Sequence, residues 1–219
     1  MSYNVVFLTG PPGSGKTVLA SKLAKDYGIY HLCLDKFLAE LARDETSPAG
    51  QAIKSHLEKG IPIPTEGIII MLQEKMKMER KNGHRDFLID GFPSDFTRAF
   101  AFEKKLRMPS LVISLQCPKE TARDRVLSRT IDDQSLNDKE TFETRFDLFT
   151  LKQPDVLYYY RAASTLLEVV SSTDTKVTYG VLTAALQMNG NWKLTRRPES
   201  PDMQTSIDQD GSDVILLSP

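Results

Sequence analysis

One segment near the amino terminus constrains this chain more than any other: Gly10-Pro11-Pro12-Gly13-Ser14-Gly15-Lys16-Thr17. It follows an apolar run from Val5 to Leu8 and precedes a helical pattern that begins at Val18. The segment matches G-x-x-x-x-G-K-[ST], set between a strand and a helix as the motif requires. The pattern predicts an α/β fold in which this segment, the P-loop, binds a nucleoside triphosphate.

Each residue type in the P-loop has a physical reason. The glycines Gly10, Gly13 and Gly15 let the backbone wrap around phosphates, so that N–H groups, including that of Ser14, point inward. The helix that follows contributes its positive amino-terminal end. Lys16 can neutralise the β- and γ-phosphates, and the hydroxyl of Thr17 can hold Mg²⁺. These features predict triphosphate binding but do not reveal what receives the phosphate.

Composition excludes several functional classes. The 219 residues suffice for one ordinary domain and a tail, and 40% hydrophobic residues can fill one core. A net charge of −1 provides no field for nucleic acid or an anionic membrane, and apolar runs such as Ile68 to Leu72 are too short to span a bilayer. We expect no signal peptide, because the first apolar run is needed as the P-loop strand. Cys33 and Cys117 make no disulfide framework, and as buried thiols they fit the reducing cytoplasm.

The apolar segments predict a doubly covered parallel sheet. Five short segments have the pattern of strands and are separated by helical patterns: Val5–Leu8, His31–Leu34, Phe87–Ile89, Leu111–Leu115 and Leu166–Val170. Further along the chain, an apolar stripe of three phenylalanines predicts core positions on a helix: Phe142, Phe146 and Phe149.

Three segments stand apart from this alternation. Residues 36–82 are longer than a simple crossover needs and carry a rigid interruption from Gly60 to Pro64, which predicts a helical insertion that forms part of a substrate site. Residues 130–138 are polar and lie between two helical patterns, so they are a second insertion candidate. Residues 189–219 change to a polar composition, which predicts a disordered tail after a domain that covers residues 1–188.

A second marker is the segment Asp86-Phe87-Leu88-Ile89-Asp90-Gly91-Phe92-Pro93. Asp90 ends an apolar strand, and strand ends in a parallel sheet gather at the edge where the P-loop also lies. A carboxylate in that place fits the shell of a bound Mg²⁺. The sequence therefore predicts that Asp90 and Thr17 hold the metal together, in part through water.

With these two motifs the chain resembles the nucleoside monophosphate kinases, that is, adenylate kinase and UMP/CMP kinase. Four further segments are similar to that family: Tyr27 to Leu32, Lys59 to Pro64, Arg125 to Arg129 and Thr141 to Phe146. The resemblance runs from about residue 3 to residue 187. It implies a P-loop NTPase fold, with a five-stranded parallel sheet, helices on both faces, the insertion at 36–82 as acceptor-binding element, and a short lid at 130–138.

The resemblance implies an enzyme that moves the γ-phosphoryl group of MgATP to AMP, CMP or UMP. Because two anions must approach each other, such a site needs several cations. By the resemblance, Arg129 closes over the ATP phosphates, while Arg125 and Arg145 face the transferred group together with Lys16. The resemblance also implies a monomer and places four residues beside the acceptor: Leu34, Ile63, Gly91 and Phe92.

The acceptor side departs from the family pattern. The two arginines that would grip the acceptor phosphate are replaced by Ala39 and Ser94, and a base-reading glutamine is replaced by Arg98. The lid's Arg-x-Asp-Asp element is not clearly present either, since Leu136 and Asn137 occupy the aligned positions. A charge-assisted hydrogen bond contributes roughly 1.5–3 kcal/mol, so the loss of two could weaken binding of an acceptor phosphate by about 10²–10⁴.

One compensation is visible in the spacing. Arg43 follows Ala39 by four residues and Arg98 follows Ser94 by four, so on helices each arginine lies on the same face, one turn away. We hypothesise that Arg43 and Arg98 take over acceptor recognition. The alternative is that both are ordinary surface arginines.

Two other functions stay open at the level of sequence. One is a kinase of the same fold with a different acceptor, for which Asp35 is the candidate general base. The favoured alternative for Asp35 is that it caps the amino terminus of the predicted helix. The other is an ATP-binding protein without turnover.

Overall fold

The structure, a computed structural model, describes residues 3–128 and 139–198. Five strands form one parallel sheet, namely β1 (Asn4–Thr9), β2 (Tyr30–Cys33), β3 (Asp86–Asp90), β4 (Leu111–Gln116) and β5 (Leu166–Val170). Their order across the sheet is β2-β3-β1-β4-β5. The predicted fold class is therefore confirmed.

Helices connect the strands and cover the sheet. They are α1 (Lys16–Tyr27), α2 (Leu34–Arg43), α3 (Pro48–Glu58), α4 (Thr65–Lys81), α5 (Phe96–Lys105), α6 (Lys119–Leu127), α7 (Lys139–Ala162) and α8 (Thr175–Met188). The stretch from 36 to 82 is helical as predicted, with residues 60–64 between α3 and α4. No helix in the described ranges is long and apolar enough to cross a membrane.

Alternating residues of the central strands feed two cores, as expected for a parallel sheet buried on both faces. On β1, Val5 and Phe7 face the core with α4, α5 and α7, whereas Val6 and Leu8 face the core with α1 and α8. All four side chains are fully buried. This burial fixes β1 at the middle of the sheet and therefore fixes where its carboxyl end, and the P-loop after it, must lie.

Two predictions about element boundaries and core membership are corrected by the structure. Strand β2 ends at Cys33 rather than Leu34, because Leu34 begins α2 and packs in the core with α4. Phe142 is buried as predicted, and Phe146 packs against it, but Phe149 is only half-buried and lines a cavity. The helix turns Phe149 away from the small core under α6, toward the cleft described below.

The predicted start of the disordered tail is wrong. Residues 189–198 pack against α1: Trp192 is buried, and its ring meets that of Tyr27 edge-on at 5.1 Å. The backbone N–H of Arg197 donates to the carbonyl of Asp26 at 2.6 Å, and Arg196 pairs with the Asp26 carboxylate at 2.8 Å. The burial of Trp192 holds this segment against α1 although the residues around it are mostly polar. Residues 199–219 of the predicted tail and the predicted lid, 130–138, lie outside the described residues.

Candidate active site

The P-loop follows the carboxyl end of β1, and its last two residues, Lys16 and Thr17, begin α1. Gly15, the residue before the helix, has a left-handed backbone with φ of 88°. Gly13 is also left-handed, with φ of 81°, and a Cβ there would lie 2.2 Å from the carbonyl oxygen of Ala122 on α6. A side chain at position 13 would therefore collide with the backbone, and only glycine lets the loop lie this close to α6.

Lys16 is placed to serve phosphates bound in this loop. Its ammonium donates to the carbonyl oxygens of Gly10, at 2.7 Å, and Pro11, at 2.9 Å, so it lies along the loop rather than pointing away from it. Ser14 contributes by its backbone alone, because the residue is buried and its carbonyl accepts from Ser171 at 2.9 Å. The P-loop residues thus stand where the sequence predicted them, with Lys16 as the cation.

Asp90 lies at the carboxyl end of β3, directly beside the start of α1. Its Oδ2 accepts a hydrogen bond from the hydroxyl of Thr17 at 2.8 Å, and the residue is almost fully buried. The register explains the meeting, since Leu8 of β1 pairs with Asp90 and the P-loop begins two residues after Leu8. A carboxylate and a hydroxyl this close offer hard oxygen ligands, which fits a bound Mg²⁺.

Two cavities of about 390 Å³ each open on this edge of the sheet. The first, the donor cavity, lies over the P-loop and is lined by Gly13, Gly15, Thr17 and Asp90 among others. The second, the acceptor cavity, extends toward α5 and α7. Five residues line both cavities and mark their junction: Pro12, Lys16, Asp35, Gly91 and Arg145.

Of the predicted catalytic arginines, Arg145 on α7 stands at this junction. Its guanidinium lies 3.7 Å from the carboxylate of Asp35, and both side chains are well exposed. Asp35 is not the N-cap of α2, because that position belongs to Cys33. Arg145 therefore lies where the two cavities meet, and its catalytic role stays a prediction.

Arg125 is placed differently from its prediction. Its guanidinium lies behind the P-loop and donates to the carbonyl of Gly13 at 3.3 Å, to Ser171 Oγ at 3.0 Å and to the carbonyl of Ser172. These three acceptors hold it away from the lining of both cavities. In this structure Arg125 supports the loop rather than facing the transferred group. Arg129 lies outside the described residues.

The predicted acceptor residues divide into two groups. Arg98 and Gly91 line the acceptor cavity, and the carbonyl of Ile63 accepts from Arg98 at 3.2 Å. Ser94, which stands where the resemblance expects an arginine, lines the same cavity. The others do not reach it. Leu34 and Phe92 are packed in the hydrophobic core with residues of α4 and α5. Arg43 is exposed at the end of α2, outside the lining of both cavities.

Two residues of the acceptor cavity were missed by the sequence reasoning. Gln153 of α7 is buried; its side-chain oxygen accepts from Thr9 at 3.0 Å, and its amide donates to the Pro93 carbonyl at 3.1 Å. Lys152, beside it, adds a cation to the lining. Neither belongs to a motif, and only their helical spacing from Arg145, seven and eight residues on, could have indicated the shared face.

Comparisons with known proteins identify the family of this chain. The family model for adenylate kinase matches residues 8–165. Adenylate kinase isoenzyme 1 of Rattus norvegicus is 32% identical over 160 residues, covering 71% of this chain and 80% of the relative. UMP-CMP kinase 1 of Oryza sativa subsp. japonica is 32% identical over 168 residues, covering 75% and 66%. Uridylate kinase of Saccharomyces cerevisiae is 29% identical over 167 residues, covering 76% and 82%. The chain therefore belongs to the adenylate kinase family of nucleoside monophosphate kinases.

Proposed function

We propose that this protein transfers the γ-phosphoryl group of MgATP to the phosphate of a nucleoside monophosphate. The observation that carries the proposal is the junction of the two cavities, where Lys16 and Arg145 face a donor site on one side and an acceptor site on the other. The names of the relatives support the same reaction, since they include adenylate, uridylate and UMP-CMP kinases.

The chemistry asks mainly for alignment and charge neutralisation. The P-loop amides and Lys16 would bind the β- and γ-phosphates, and Arg145 would neutralise the charge that builds up between donor and acceptor. Thr17 and Asp90 would hold Mg²⁺, which supplies further positive charge to the phosphate oxygens when bound. The acceptor cavity would fix the attacking phosphate oxygen in line with the γ-phosphate and exclude water.

Arg98 is the best-supported substitute for the missing acceptor arginines. Its guanidinium reaches back one helical turn and donates to the hydroxyl of Ser94 at 2.8 Å, beside the place where an arginine at position 94 would begin. The carbonyl of Ile63 and the carboxylate of Asp95 hold the same guanidinium. Lys152 would be a second cation that binds the acceptor phosphate. Arg43 has less support, because it lies outside the cavity lining.

One observation favours a second candidate, a kinase of this fold whose acceptor is not a monophosphate. Asp35 lines both cavities, which is where a general base for a hydroxyl acceptor would have to lie. The pairing of Asp35 with Arg145 favours the first function. In this pair the carboxylate of Asp35 would occupy the position beside Arg145 that a substrate phosphate takes during the reaction. Whether the acceptor carries adenine or a pyrimidine depends on the acceptor residues at which this chain departs from the family pattern.

The test is a panel of acceptors with the purified full-length protein. With MgATP present, AMP, CMP, UMP, dCMP, dTMP and GMP are offered one at a time, and ADP formation is recorded. We expect turnover with at least one monophosphate. Bound ATP with no turnover across the panel would overturn the proposal and leave the two alternatives, another acceptor or ATP binding without turnover.

The variant Lys16→Ala should lower turnover by at least a hundredfold, because it removes the ammonium expected to neutralise the β- and γ-phosphates. Lys25→Ala is the matched control, since Lys25 lies on the same helix but is exposed in its last turn. We expect this variant to retain the wild-type rate. Equal losses in the two variants would show that the effect is not specific to the P-loop.

A further inference from the structure

We propose that His31, Cys33 and Asp90 form a site for a soft divalent metal such as Zn²⁺, beside the P-loop. The site goes beyond the proposed kinase activity, because it uses two residues that this activity does not need. Among the described residues, the ring nitrogen of His31, the sulfur of Cys33 and a carboxylate oxygen of Asp90 all lie within 4.8 Å of one another.

The sheet itself brings the three together. His31 and Cys33 are two residues apart on β2, so their side chains leave the same face of the strand. Cys33 pairs directly with Asp90 on the neighbouring strand β3. The site is therefore built on the edge strand β2 and the strand hydrogen-bonded to it, and not on a loop whose geometry could vary.

The distances suit a zinc ion with a small adjustment. His31 Nε2 and Asp90 Oδ2 are 3.2 Å apart, close to the ligand separation that Zn–N and Zn–O bonds of about 2.0–2.2 Å give in a tetrahedron. The sulfur of Cys33 lies within 4.8 Å of both atoms and would complete the set with a Zn–S bond of about 2.3 Å. Three protein ligands would leave the fourth position open for water or a phosphate oxygen.

The hydrogen bonds around His31 are compatible with a metal ion at this point. The hydroxyl of Ser21 donates to the carbonyl of Thr17 at 2.8 Å and lies 3.4 Å from His31 Nδ1, where it can accept from an Nδ1–H. In that tautomer the Nε2 lone pair and Asp90 Oδ2, 3.2 Å apart, would both be presented to a metal ion between them. A metal-binding histidine commonly donates its other N–H in this manner.

The donor set selects the class of metal. Nitrogen and sulfur ligands favour Zn²⁺ over Mg²⁺, which prefers oxygen. A metal ion that binds Cys33 would displace the proton of its thiol. A cavity of about 180 Å³, lined by Ser21, His31 and Cys33 among others, gives the ion a path from solvent.

A metal at this site would inhibit the proposed phosphoryl transfer. This expected inhibition rests on the proposed function, whereas the metal site itself does not. Asp90 cannot give its Oδ2 to zinc and keep its hydrogen bond to Thr17 unchanged. Zinc ligation would draw the carboxylate away from the place where Mg²⁺ is expected. We therefore expect Zn²⁺ to inhibit phosphoryl transfer, and Mg²⁺ in excess to relieve the inhibition poorly.

Metal binding is tested first, without any measure of activity. The full-length protein, freed of metal by a chelator, is titrated with Zn²⁺ against a coloured chelator of known affinity. We expect one zinc ion per chain, and binding at least tenfold weaker in both Cys33→Ser and Cys33→Ala. The matched control is Cys117→Ser, which removes the other half-buried thiol and should bind like the wild type.

Co²⁺ is the spectroscopic probe of the ligand set. We expect a thiolate-to-Co²⁺ charge-transfer band in the wild type and in Cys117→Ser, and its loss in Cys33→Ser. No stoichiometric binding, or equal affinity in the Cys33 and Cys117 variants, would overturn the site. Far-ultraviolet circular dichroism of each variant establishes that it is folded before it is titrated.

The inhibitory consequence is tested on turnover. If the acceptor panel finds a substrate, Zn²⁺ should inhibit the wild type at concentrations that no longer inhibit Cys33→Ser. If saturating zinc does not inhibit turnover, the expected inhibition is wrong. The binding titration then still decides whether the metal site exists. If no acceptor is found, the proposed function fails, and the titration and the cobalt spectrum decide the metal site on their own.

Discussion

At the scale of single residues, Arg98 gives the acceptor cavity a positive charge although the arginine that the resemblance expects at position 94 is missing. At position 94 an arginine is absent, but Arg98 fills the space from one helical turn away and is fixed there by Ser94 and by the carbonyl of Ile63. The short hydroxyl of Ser94 is what leaves the room. By the resemblance to the family, Arg98 would therefore supply the charge that an arginine at position 94 would have carried.

The first prediction concerns Arg98. Replacing it with alanine should raise the KM for the acceptor by roughly 10- to 100-fold, because a hydrogen bond to a charged group contributes about 1.5–3 kcal/mol. The KM for ATP should change little, since Arg98 does not line the donor cavity. Steady-state kinetics with each substrate varied in turn measure both values.

Arg43→Ala is the matched control for this prediction, because Arg43 shares the predicted spacing but lies outside the acceptor cavity. We expect its KM for the acceptor to stay within about twofold of the wild type, as for an exposed arginine. Equal effects in the two variants would mean that acceptor binding closes α2 over the cavity.

At the scale of elements, the donor site depends on how closely the P-loop approaches α6. Gly13 lets the two meet, and Arg125 of α6 then bonds the carbonyl of Gly13. The position of the loop is thus set by β1 on one side and by α6 on the other. A small displacement of α6 would move the amides that are expected to bind phosphate.

The second prediction is that Gly13→Ala damages the site more than its backbone strain explains. Its φ of 81° costs a non-glycine residue about 1–2 kcal/mol, and the new Cβ also meets the carbonyl of Ala122 at 2.2 Å. We expect ATP affinity to fall at least tenfold, measured by calorimetry, in addition to a lower free energy of unfolding in urea.

Gly83→Ala separates the two causes. Gly83 has a φ of 98°, but a Cβ there would meet no atom within 4 Å, and the residue lies in the turn before β3. This variant should lose about 1–2 kcal/mol of stability from the left-handed backbone alone and bind ATP normally. If Gly13→Ala binds ATP as well as Gly83→Ala does, the close approach to α6 is not what positions the loop.

Elements with strong local patterns could be predicted from the sequence, and residues positioned by tertiary packing could not. Strand β5 was predicted with its observed bounds, and Lys16, Thr17 and Asp90 belong to motifs whose geometry is local or follows from adjacent strands. Gln153 could not be predicted, because its partners, Thr9 and Pro93, are distant in sequence. Phe92 and Leu34 were assigned to the acceptor by resemblance, whereas core packing decides their place.

At the scale of the whole molecule, the last described segment packs against the first helix of the chain. Residues 189–198 return to the end of α1, where Trp192 and Leu194 extend the core that α1 and α8 share. The side chain of Asp26 accepts from Tyr179 at 2.7 Å and pairs with Arg196, which ties α1, α8 and this segment together. The segment lies on the face of the sheet that anchors α1, the helix that begins at Lys16.

The last prediction follows from this packing. Trp192→Ala should lower the free energy of unfolding by about 3–5 kcal/mol, because it removes a large buried ring packed on Tyr27. Trp192→Phe keeps an aromatic ring and should lose under half of that. Arg196→Ala removes a half-exposed ion pair and should cost at most about 1 kcal/mol. Urea unfolding followed by circular dichroism ranks the three variants, and a wild-type midpoint for Trp192→Ala would mean that this segment does not stabilise the fold.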